Sequence, residues 1–128
     1  MQYKSFDVYF EPLEVYVYII FAKTVEIGIN EHNKDNNIKI QLDASEHKTT
    51  VGVVSSWIAD EDGKRYYVCV FRNDCKIKNI VHESVHIVSS VMMDKQTEHN
   101  EYTEEVYAYH TEWVFDKIYQ FKINNRIK

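Results

Sequence analysis

The periodicity of the apolar residues changes once, near the middle of the chain, and that change limits the folds open to it. In the first half they cluster in short β-branched and aromatic runs: Val15 to Phe21, Val51 to Trp57 and Tyr66 to Phe71. Such runs suit strands, because branched and aromatic side chains pack well on a pleated surface. Beyond Asp74, Ile77, Ile80, Val81, Ser84, Val88, Val91 and Met92 recur at spacings of three and four, which defines one stripe along a helix. The order is strands first and helices after, an α+β domain.

Local chemistry sets the expected boundaries. Asp60-Glu61-Asp62-Gly63 lies between the second and third runs and has the residues of a hairpin loop. Lys23 to Lys34 reads either as a short helix or as a polar connection, since Gly28 weakens the helical pattern. Asp74 is the expected N-cap of the first long helix, which should end near Asp94. After a polar connection from Lys95 to Glu101, Asn100 or Thr103 can cap a second helix running through Trp113 to about Phe121. No repeat or proline-rich linker divides the sequence, so residues 1–128 read as a single domain.

With 128 residues, one proline, three glycines and 14% aromatic residues, the chain has the composition of a packed globule. A domain of this size buries about two-thirds of the surface of its unfolded form and needs no staples to fold. The net charge of -5 argues against nucleic acid and anionic membranes as partners, because phosphate binding relies on clustered cations. The basic tail, Lys122, Arg126 and Lys128, reads as a solvated terminus. Val15 to Ala22, the longest apolar run, is too short to span a bilayer. Cys69 and Cys75 read as reduced thiols, and with no export signal in view the expected compartment is the cytoplasm.

The chemistry concentrates at His82-Glu83-Ser84-Val85-His86. On a helix, positions i and i+4 share a face, so both imidazoles can reach one metal ion. Zinc (Zn2+) takes histidine nitrogen readily, and its catalytic sites use three protein ligands and leave one position open. In a His-Glu-x-x-His motif the glutamate is the base that takes a proton from the attacking water. The third ligand has to come from elsewhere, and Glu98, His99, Glu101, Glu104, Glu105, His110 and Glu112 are all available downstream.

Eighteen residues separate His86 from Glu105, and Glu105-Val106-Tyr107-Ala108 places a small residue one turn beyond the glutamate. This HExxH-x18-ExxA arrangement resembles that of the gluzincin metallopeptidases, the thermolysin-like enzymes and related aminopeptidases. More loosely, the motif followed by Glu-x-x-Ala-Tyr and Trp113 looks like that of small phage- or prophage-encoded metallopeptidases. The resemblance covers about the last sixty residues. It implies a minimal zincin-like domain, a small sheet containing antiparallel strands followed by two packed helices. It also implies a peptide or protein substrate, with His82, His86 and Glu105 as zinc ligands and Glu83 as base. Ala108 would let the second helix approach the first.

Two departures stand against this. Tyr109 occupies a position where gluzincins often carry an aspartate, and the chain has no counterpart of their second lobe. Among possible oxyanion donors, Tyr109 is one turn from Glu105 and is preferred to His99, Tyr107 and His110. The strand before the motif, Tyr66 to Phe71, could pair with an extended peptide if it lies at a sheet edge. The alternative to a hydrolase is a zincin-like metal-binding or protein-interaction module without turnover.

Overall fold

The computed structural model describes residues 3–10, 15–36, 49–58, 63–95 and 99–128. Within them run β1 (Tyr3–Phe10), β2 (Val15–Ala22), α1 (Val25–Asn36), β3 (Gly52–Ile58), β4 (Arg65–Arg72), α2 (Ile77–Asp94) and α3 (Glu104–Asn124). The α+β class expected from the sequence is present, but the order is not strands first and helices after: α1 lies between β2 and β3, and β1 is one strand more than the apolar runs marked out.

The strands form one mixed sheet in the order β1-β2-β4-β3. β2 runs antiparallel to β1 and parallel to β4, and β3 returns antiparallel to β4. The two central strands are covered on both faces, which is why they read as continuous apolar runs. Their side chains alternate between two cores. Val17, Ile19, Phe21, Cys69 and Phe71 join Ile80, Ile87, Val91, Val114 and Ile118 on the face carrying α2 and α3. Ile20, Ala22, Val68 and Val70 join Val25 and Ile29 of α1 on the other.

Gly28 explains the ambiguous segment before it. A Cβ at this position would lie 2.8 Å from Val70 Cγ1 and 3.1 Å from the Ala22 Cβ, so α1 seats on the sheet only because this residue has no side chain. The segment is a helix, and its weakest helix former is its point of closest approach.

Asp74 does not cap α2. It accepts a hydrogen bond from Arg72 Nε at 2.5 Å, and the helix starts after Lys76, whose N–H donates to Asn79 Oδ1 at 2.8 Å. Ile77 and Val81 leave the expected stripe and are exposed, because neither the sheet nor α3 covers their side of α2. At the start of α3, Asn100 Oδ1 accepts from the N–H groups of Tyr102 (2.9 Å) and Thr103 (3.2 Å), while Thr103 holds the N-cap position. The expected hairpin loop lies largely outside the described residues, although Gly63, at φ 67°, has the left-handed conformation such a turn uses.

The second half forms a helical pair over one face. Lys122 Nζ donates to Asn73 O at 2.5 Å, just ahead of α2, so α3 runs antiparallel to α2; the lysine is thus a structural tie and not a solvated tail residue. Phe121 stacks on Phe6 of β1 at 4.2 Å and on Phe21 of β2 at 6.0 Å, which sets α3 over the β1–β2 side of the sheet. At its far end α2 is pinned by Asp94, which accepts from the Tyr67 hydroxyl and pairs with Arg65 at 3.1 Å. No helix among the described residues is long and apolar enough to cross a membrane.

Candidate metal centre

The motif falls in the middle of α2, and the helix sorts its residues by direction. His82 and His86 are exposed on the outer surface, while Glu83 turns inward and is 7% exposed. The two Nε2 atoms lie 3.2 Å apart. Two nitrogens bound tetrahedrally to one zinc at about 2.0–2.1 Å would stand about 3.3 Å apart, so the pair is already spaced as one edge of a zinc site. In the absence of metal, the same distance lets one ring donate a hydrogen bond to the other.

Glu83 and His86 line a groove of about 270 Å3 with Gly52, Val53, Val54 and Ser90. The groove runs between α2 and β3. A Cβ on Gly52 would meet Glu83 Cγ at 3.0 Å, so this glycine lets the strand close over the carboxylate. Burial raises the Glu83 carboxyl above the ordinary glutamate range, and the imidazoles of His82 and His86 oppose the shift. A carboxylate that holds its proton more tightly than usual is a better base toward water than an exposed one.

Sequence reasoning missed Gly52, Val53, Val54 and Ser90 as groove residues. The available signal was Gly52 itself, since a glycine inside a strand pattern often marks a close backbone approach. The place of Tyr66 to Phe71 in the sheet, open from the sequence, is interior: it belongs to β4, and among the described residues β3 takes the edge.

Glu105 does not join the histidines. Among the described residues no group of three His, Cys, Asp or Glu side chains is placed to hold one metal ion. Helix register supplies the reason. His86 lies eight residues before Asp94, the last residue of α2, whereas Glu105 is the second residue of α3. At 1.5 Å per residue, the two positions sit about 10 Å apart along an antiparallel pair. In addition, α3 leans toward β1 and β2, on the far side of α2 from the groove. Ala108 is exposed and does not mediate the helix contact.

Tyr109 is likewise 71% exposed on α3 and does not line the groove of Glu83 and His86. Tyr107 is the buried tyrosine of that turn, with the His99 ring 4.6 Å from its own. His110 holds its Nδ1 2.8 Å from Val106 O, one turn back on its own helix. Cys69 and Cys75 are both free and buried, and burial pushes the Cys75 thiol up to about 11 against the pull of Lys122; a thiol activated by the helix start is not what forms.

No protein-family model, curated protein sequence or solved structure matches the chain.

Proposed function

We propose that this protein is a metal-dependent hydrolase of the zincin type acting on peptides, with His82 and His86 as metal ligands and Glu83 as the base. The observation that carries the reading is one arrangement. Two imidazole nitrogens stand 3.2 Å apart on α2, and the intervening buried carboxylate opens on the same groove as His86. A bound zinc would supply Lewis-acid polarisation of the scissile carbonyl. Glu83, itself buried, accepts the proton of the attacking water at the wall of this groove. An extended peptide is the substrate that suits the groove, because the edge strand β3 forms its wall and has backbone groups to offer a partner strand.

The test separates metal from turnover. Protein stripped with EDTA and reloaded should bind zinc and cleave members of a fluorogenic peptide library. Glu83→Gln should retain the zinc and lose at least a hundredfold in rate, the scale expected for a positioned general base. Unchanged turnover in that variant would remove Glu83 from the chemistry.

A second reading rests on a different observation: none of the described residues adds a third ligand to the pair. On that reading the domain binds metal to organise an interaction and turns nothing over. Zinc binding without cleavage of any library peptide selects it.

A further inference from the structure

The outer surface of α2 has the composition of an interface. From Asn79 to Met93 the only charged residue is Glu83, and it is buried. The outward side chains are Val81, His82, Val85, His86, Ser89 and Met93, with Val81, Val85 and Met93 exposed at 43%, 47% and 74%. In a chain with 27% charged residues and a net charge of -5, such a stretch on the solvent side of a helix stands apart. Exposed apolar patches of this kind commonly mark binding surfaces.

At the centre of this surface sits the His82–His86 pair, half of a tetrahedral site with no third ligand among the described residues. We propose that the missing half comes from a second copy of this chain, so that one zinc ion is held by His82 and His86 of two molecules across a two-fold axis. In a two-fold contact every residue near the axis meets its own copy, so any charge there repels itself. Val81, Val85 and Ser89 beside the pair carry no charge, and the one cation of this face, Lys78, stands a full turn before His82, away from an axis that passes between the histidines. The inference rests on the metal-ligand role of the histidines and not on hydrolysis. Four imidazoles fill zinc's tetrahedral shell, so the bridged pair is the closed, resting form of the proposed site.

Sedimentation velocity of the full chain with zinc and with EDTA tests this. With EDTA the protein should be monomeric. At about one zinc per two chains, the stoichiometry of a four-histidine site, the mass should double. His82→Ala with His86→Ala should abolish the zinc-dependent species. Val85→Glu alters an exposed position and leaves the ligands intact, so it should keep zinc binding while weakening dimerisation at least tenfold. A monomer holding one zinc per chain overturns the bridge and leaves the hydrolase reading standing, whereas a chain that binds no zinc overturns both. A dimer that persists in EDTA, or in the double-histidine variant, removes the metal from the contact. A Val85→Glu dimer as tight as the parent moves the axis away from this face.

Discussion

At the scale of single residues, Glu83 ties the proposed chemistry to stability. Its carboxyl is raised mainly by burial, so the folded protein holds the proton more tightly than the unfolded chain does. Stability from such a group is fully present below the unfolded value and is lost as pH rises through the folded one. The ionised carboxylate therefore costs stability at neutral pH. Glu83→Gln should raise the unfolding temperature of the metal-free protein at pH 7, with the gain shrinking toward about pH 4, where the unfolded glutamate protonates. Thermal melts across that range check it, and a gain that grows on acidification would reverse the sign. Cys75 makes a second case. With its thiol up at about 11, it should alkylate slowly at pH 8 in the native state and at ordinary rates in denaturant. The motif was legible in the sequence because His82, Glu83 and His86 sit on one helix, where spacing alone fixes direction. The separation of Glu105 from the histidines was not legible, because the eighteen residues between His86 and Glu105 do not say how many belong to each helix. Here α2 takes eight of them, which leaves Glu105 at the wrong end of α3.

Among the elements, legibility followed burial. β2 and β4 are apolar on both faces and were plain as runs, whereas in β1 Val8 is buried but Lys4, Ser5, Asp7 and Tyr9 are exposed. Without a regular alternation of covered and exposed residues, that polar stretch gave no strand signal. α1 was ambiguous because the propensity at Gly28 opposed the tertiary fit. The two effects can be set against each other. Alanine is the better helix former by about 1 kcal/mol, yet its Cβ would press on Val70, a β-branched residue of an interior strand, and on the fixed Cβ of Ala22. Gly28→Ala should therefore destabilise the protein, by about 1–2 kcal/mol net of the helix gain, read as a lower urea midpoint at unchanged slope. A raised midpoint would show that α1 can lift off the sheet at little cost. At the end of α2, Asp94→Ala strips a partner from the Tyr67 hydroxyl and from Arg65. It should cost about 1–3 kcal/mol and speed amide exchange in the last turns of the helix.

For the molecule as a whole, the two cores are not independent. Each central strand sends alternate residues to both, so the loss of either packing layer pulls on the same backbone. Ile29→Ala in one core and Ile118→Ala in the other should each lower stability by about 2–5 kcal/mol, and each should leave a single unfolding transition. Two transitions by fluorescence and circular dichroism would separate the layers. The parallel pairing of β2 with β4 also bears on how the chain is made. Val17 to Ala22 finds its second neighbour in Tyr67 to Arg72, about fifty residues later. Chain emerging from a ribosome therefore holds the β1–β2 hairpin with one side of β2 unsatisfied until β4 has been synthesised. Closing so long a loop before any reward from packing makes this pairing the expected slow step, and the newborn hairpin the species most in need of a chaperone.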